Sequence, residues 1–356
     1  MAERAAFQRL IGGRPVDLFT LEHDRHRVQI TNYGGIIVSW MAPDALGHCA
    51  DIVLGCDSLS AYLGGHPYLG CMVGRFANRI SDGRCTVAGE ALQFVRNHDD
   101  DNHLHGGSVG WDKVVWLATE EPDYPAGPSL LLHHFDADGH EGYPGAVTVM
   151  VRYTLRKNGQ LDFIIRAQTT ATTIINCTNH SYFNLGGADG RSALDHQLTI
   201  AADHFTPGNA FSVPSGEVRA VVDSPYDFRA PVMLNDIINE DCFAPRGGLD
   251  DNFVLGDLAD QTPATPRFAA RLNHRESGRQ LELYTTEPCV QAYAGCSLRS
   301  EILGRNGCTY PRYSGVCLEP QHCPDSPNHP NFPSTILEPD DCYFQHSSYR
   351  CTTVRG

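Results

Sequence analysis

The chain has 356 residues, 41% hydrophobic and 19% charged, enough apolar material for a large folded core. A formal net charge of -15 sets the surface against phosphate backbones and anionic lipid headgroups, so neither nucleic acid nor a membrane is an expected partner. No apolar run is long enough for a membrane helix or a signal-peptide core, which makes the cytoplasm the expected location.

Read in chain order, the pattern is dominated by alternation of period two. Residues 27–31, 35–41 and 51–55 read as opening strands, and 57–63 as the best of a few short amphipathic helices. Strands follow at 114–119 and 130–135, separated by the turn-forming cluster Glu121-Pro-Asp-Tyr-Pro-Ala-Gly-Pro128. Over 146–156, Val147, Val149, Val151, Tyr153 and Leu155 alternate with polar or flexible residues. Leu161, Phe163, Ile165 and Ala167 resume the pattern after Asn158-Gly159, so the two runs read as a hairpin. Further strands are expected at 197–202, 280–286, 289–294 and 315–321, with a proline-rich turn region over 323–333. The segment 257–266 (DLADQTPATP) resembles a linker, but the strand pattern resumes after it, so it reads as a surface loop. The expected fold is all-β: a large antiparallel β-sandwich with few short helices, a single domain over residues 1–356.

Thirteen cysteines are scattered without a CxxC pair, which suits free thiols used as small apolar residues better than a disulfide framework or a zinc site. Only Lys113 and Lys157 are lysines, so Schiff-base chemistry has two candidates.

Three segments place titratable groups where the pattern would bury them. In Asn102-His-Leu-His-Gly-Gly107, His103 and His105 share one face of an extended chain, and the glycines permit close backbone approach. Thr178-Asn-His-Ser-Tyr-Phe-Asn-Leu185 puts His180 and Tyr182 on one face. In Val316-Cys-Leu-Glu-Pro-Gln321, Glu319 lies inside an apolar strand, where a carboxylate must be paired or face a cleft. Each histidine has a plain alternative as a hydrogen-bonded core residue. A His-x-His metal site needs a nearby carboxylate, and only Asp112 follows within reach. No phosphate-binding glycine loop and no GxSxG elbow occurs. The residues alone lead to a His/Glu acid–base site in a β-sandwich cleft.

Taken in register, these segments resemble the aldose 1-epimerase (galactose mutarotase) family. The likeness runs through Asn32-Tyr-Gly-Gly-Ile36, 51–57, 67–80, 102–107 with 111–113, and Glu141-Gly-Tyr-Pro-Gly145. It continues through 178–185, 225–229, 249–254, 277–279, 290–291, 317–321, 324–325 and 331–334. The resemblance implies a galactose mutarotase-like supersandwich acting on a free aldose, as monomer or homodimer, with no metal, nucleotide or flavin cofactor. It implies Glu319 as general base and His180 as general acid. It implies His105 as the histidine bonding the sugar near its ring oxygen, and Asn78, Arg79, Asp250 and Gln291 as holders of the hydroxyls, with Tyr182 lining the cleft. His103 inherits no role. Four departures touch the expected cleft: Asp251 where histidine is common, which would add negative charge beside Asp250, Pro320 after the glutamate, Cys289 for a glycine, and Ala294-Gly-Cys296 for a more polar trio. The rival readings are a hexose-6-phosphate 1-epimerase, with Arg75 and Arg79 as candidate phosphate ligands, a non-catalytic sugar-binding module, and a metal-dependent β-sandwich enzyme.

Overall fold

A computed structural model describes residues 1–98, 101–258 and 263–354. Residues 259–262 of the expected loop at 257–266 lie outside the described residues.

Val147, Val149, Val151, Tyr153 and Leu155 are all fully buried, as the alternation requires. Each such Val or Leu contributes roughly 1.5–3 kcal/mol by leaving water. Their strand, Val147–Arg156, pairs antiparallel with Gln160–Thr169 in the register Arg156↔Gln160. At the turn Asn158 and Gly159 take φ of 60° and 66°, a region those two residue types tolerate.

This hairpin sits within a nine-stranded antiparallel sheet. Its spatial order is Leu117–Glu121, Ser129–Asp136, Val147–Arg156, Gln160–Thr169, Tyr343–Thr353, Arg279–Thr285, Arg267–His274, His196–Ile200 and Val232–Met233. A six-stranded sheet runs Tyr182–Phe183, Val316–Gln321, Cys289–Tyr293, Asp250–Val254, His204–Thr206, Arg219–Ala220. A four-stranded sheet over Leu18–His23, His26–Thr31, Ile36–Pro43 and Cys49–Asp51 completes the main framework. The described α-helices are Leu59–Leu63 and Leu234–Ile237, and neither is long or apolar enough to cross a membrane.

The six-stranded sheet lies on the nine-stranded one. Phe253, Val290, Ala292 and Leu318 share a buried cluster with Val149, Val151, Phe163, Leu283 and Tyr349, and the Tyr349 hydroxyl donates to the Leu318 carbonyl at 2.8 Å. Alternation then fixes what the opposite face carries. Cross-strand partners share a face, so Glu319, Gln291 and Asn252 form one row, and Cys317, Tyr293 and Asp250 the next.

Two expected strands are displaced. Residues 51–55 leave the ladder at Asp51, whose carboxylate accepts the N–H groups of Trp40 (3.0 Å) and Val53 (3.2 Å). The strand expected at 114–119 begins only at Leu117, because the turn Trp111–Lys113 precedes it and Val115 bridges to Tyr33 instead.

Candidate active site

Glu319 lies at the centre of the six-stranded sheet, on the face turned from the core. Its Oε2 accepts no hydrogen bond from a described residue and stands 3.7 Å from His180 Nε2. His180 connects two short strands, Thr178–Asn179 and Tyr182–Phe183. Its N–H donates to the Cys71 carbonyl at 2.9 Å and its own carbonyl accepts from Gly70 N–H at 2.9 Å, so the backbone is held on both sides. The ring's other nitrogen, Nδ1, is 3.5 Å from Cys317 Sγ. Tyr182 backs this imidazole at 5.1 Å between ring centres and donates its hydroxyl to the Pro67 carbonyl at 2.9 Å.

The expectation that His103 and His105 share a face fails. His105 adopts a φ of 52°, which ends the strand His103–Leu104 and sends the two rings apart. His103 stays in the interior, Nδ1 2.7 Å from the Val95 carbonyl and Nε2 2.5 Å from the Tyr143 hydroxyl. His105 turns toward His180, with ring centres 5.3 Å apart. The tight turn needs Gly106, since a Cβ there would lie 1.9 Å from the Gly74 carbonyl oxygen. Asn78 N–H donates to His105 Nδ1 at 3.1 Å. That nitrogen is therefore an acceptor, and in the neutral ring Nε2 carries the proton and is the donor.

Asn78 Oδ1 accepts from Arg79 N–H (3.0 Å) and from Arg79 Nη1 (3.3 Å), which places the guanidinium at the rim. On the opposite side Asp250 accepts from the Gln291 amide (2.7 Å) and the Ser212 hydroxyl (2.7 Å). Gln291 Oε1, directly across from Glu319, is buried without a partner among the described residues. The structure thus brings together all eight residues singled out from the sequence: Glu319, His180, His105, Asn78, Arg79, Asp250, Gln291 and Tyr182. Arg79 and Asp250 are half-buried and the other six are buried.

Burial pushes the Glu319 carboxyl well above its ordinary range, and the charge of Asp250 adds to this while Arg79 opposes it. Burial likewise lowers His180 to about 4. His105 is held well below the usual imidazole range by burial first, then by the neighbouring His180 and Arg79. The roles implied by the family resemblance, Glu319 as base and His180 as acid, require an ionised carboxylate beside a protonated imidazole. The buried pair instead favours both groups neutral, because removing water penalises either charge. The two arrangements contain the same number of protons, so they differ only in which side of a 3.7 Å gap holds one.

Two further expectations are corrected. Asp251 adds no charge to this face. It points into the core side of its strand, where both carboxylate oxygens accept from Arg246 Nη2 at 2.7 and 2.9 Å. Arg75 is no phosphate ligand either: it is buried, bonded to Asp136 at 2.9 Å and to the Gly145 carbonyl at 2.8 Å.

Sequence reading did not single out Tyr68. Its ring lies 4.5 Å from that of His105 and 5.8 Å from that of His180, with Lys113 Nζ 5.7 Å above it. A φ of 57° turns the side chain inward, a backbone state no local pattern announces for tyrosine.

The aldose 1-epimerase family model matches residues 17–350. A galactose mutarotase of Bos taurus is 40% identical over 341 residues, covering 96% of this chain and 95% of its own. The crystal structure of galactose 1-epimerase from Lactobacillus acidophilus NCFM superposes with a TM-score of 0.83 at 27% identity, covering 98% of this chain and 97% of that one. An aldose epimerase homologue from C. elegans gives a TM-score of 0.83 at 25% identity, covering 96% and 100%.

Proposed function

Since the chain belongs to the aldose 1-epimerase family, we propose that it interconverts the α and β anomers of free aldoses of the galactose and glucose type, with Glu319 as general base and His180 as general acid. The observation that carries this reading is the 3.7 Å approach of Glu319 Oε2 to His180 Nε2, with His105 beside the imidazole and Gln291 across from the carboxylate.

An anomeric hydroxyl is a weak acid, so its proton must be taken as the ring C1–O5 bond breaks. The departing ring oxygen needs a proton at the same stage. Glu319 takes the first proton and His180 gives the second, each contributing about 10²–10⁴-fold in rate. The open-chain aldehyde turns about C1–C2 and closes on its other face with the roles reversed. The pair must hold one proton between its two members. The sugar hydroxyls and Arg79 favour that proton on His180, the reactive arrangement. His105, as an Nε2–H donor, suits the ring oxygen, while Asp250, Gln291, Asn78 and Arg79 hold the remaining hydroxyls. Tyr182, its hydroxyl already engaged, serves as the wall behind His180.

Arg75, one of the two arginines that could have met a phosphate, is held by Asp136, which favours an unphosphorylated sugar. Thirteen unpaired thiols suit work in a reducing compartment such as the cytoplasm. Polarimetry of freshly dissolved α-galactose, glucose, xylose and arabinose tests the function. Catalytic amounts of protein are expected to speed equilibration of at least galactose or glucose, and no acceleration of any of them would overturn the proposal.

A further inference from the structure

Cys317 has no part in the proton transfers above, yet it lies on the same strand face as Glu319, two residues before it, against the catalytic imidazole. A polyol has no use for a thiol. A borderline-soft metal ion does. One nitrogen of His180, Cys317 Sγ and a Glu319 oxygen all lie within 4.8 Å of one another, and all three residues are buried. We propose that this cleft is also a binding site for a thiophilic divalent ion of the zinc class, held by His180, Cys317 and Glu319, and that the ion excludes the sugar.

The donor set is the first argument. One sulfur, one imidazole nitrogen and one carboxylate oxygen is a zinc-type combination, whereas calcium and magnesium take oxygen ligands. Spacing is the second. Bonds of about 2.1 Å to nitrogen or oxygen and about 2.3 Å to sulfur place tetrahedral ligands roughly 3.4–3.6 Å apart. The carboxylate meets that spacing at 3.7 Å from Nε2; the sulfur is 3.5 Å from the other nitrogen, Nδ1, and the three ligand atoms lie within 4.8 Å of one another, wider than that spacing. Because these contacts use opposite nitrogens, one ion takes Nε2, and the thiol swings toward it about its Cα–Cβ bond. Charge is the third argument. A thiolate, a carboxylate and a neutral imidazole exactly offset a divalent ion, leaving no net charge in a buried place.

On binding, bonds form from the metal to sulfur, nitrogen and oxygen. The Cys317 S–H bond breaks and its proton goes to solvent, joined by the Glu319 proton when that carboxyl is protonated. Because binding releases these protons, affinity rises with pH. Binding is independent of the epimerase reading. The inhibition rests on it, because the ion occupies both the base and the acid.

Titrating cobalt(II) into the full chain separates the two. The expected result is a sulfur-to-cobalt charge-transfer band that saturates at one ion per chain, is lost in Cys317→Ser and is suppressed by galactose. Zinc should displace the cobalt and raise the apparent KM for galactose without changing kcat. Absence of the band, or its persistence in a folded Cys317→Ser protein, overturns the site; exposed Cys49 and Cys342 are the thiols such a band would report. If Cys317→Ser fails to fold, Glu319→Gln decides: cobalt affinity should fall at least about ten-fold, and unchanged affinity refutes the proposal. A cobalt band without zinc inhibition of galactose mutarotation would uphold binding and count against Glu319 and His180 as the reacting pair.

Discussion

At the scale of single residues, the account turns on where one proton resides. Burial lowers His180 to about 4 and raises Glu319 well above its ordinary value. Below about pH 4 both groups are protonated and the base is lost. Above the raised Glu319 value both are deprotonated and the acid is lost. The profile of kcat/KM is therefore expected to be bell-shaped, its acid limb near pH 4 and its alkaline limb well above the usual carboxylate range, the limbs belonging to the pair rather than to either residue. A profile flat from pH 3 to 10 would contradict the two-residue assignment. His103 gives the contrast. Its two hydrogen bonds tie Val95 to Tyr143 in the interior. His103→Asn should cost about 1–3 kcal/mol in denaturant unfolding by leaving a buried partner unpaired, with kcat little changed. A stable variant with crippled turnover would show that His103 acts in the reaction.

At the scale of elements, the same alternation that made strands legible also sorted the departures. Asp250 faces the cleft and Asp251 the core, because neighbours on a strand point opposite ways. Arg246→Met would strand the fully buried Asp251 carboxylate and is expected to destabilise the fold by about 3–5 kcal/mol, read by thermal denaturation, while KM for galactose hardly moves. An equally stable variant with altered sugar preference would put Asp251 at the sugar. Strands were readable where the buried face is apolar, as in Val147–Arg156. The strand Tyr343–Thr353 was not, since its buried positions include Gln345, Ser347 and Ser348. Arg267–His274 was obscured by a bulge between Phe268 and Ala270 that breaks the period. Leu18–His23 has only Leu18 and Leu21 buried, three residues apart, which matches no strand pattern. In the site, Glu319 stood out as a charge in an apolar run. Tyr68 did not, because a positive φ rather than a periodicity turns it inward.

At the scale of the whole molecule, the fold brings together side chains carried by widely separated segments: Asn78 with Arg79, the turn after His103–Leu104, the His180 connection and four strands of the six-stranded sheet. Burying Arg75 against Asp136 within this framework removes one cation that could have met a phosphate. Glucose 6-phosphate is accordingly expected not to compete with glucose in an anomer-specific assay, and competitive inhibition at glucose-like concentrations would favour a phosphorylated substrate. The central claim is that Glu319 and His180, joined only by the fold, act on one pyranose. Glu319→Gln preserves the shape and hydrogen-bonding capacity of the side chain but cannot take the proton. Its kcat for galactose mutarotation, followed by polarimetry, is predicted to fall by about 10²-fold or more in a protein of normal stability. Near-normal turnover in that variant would contradict the account.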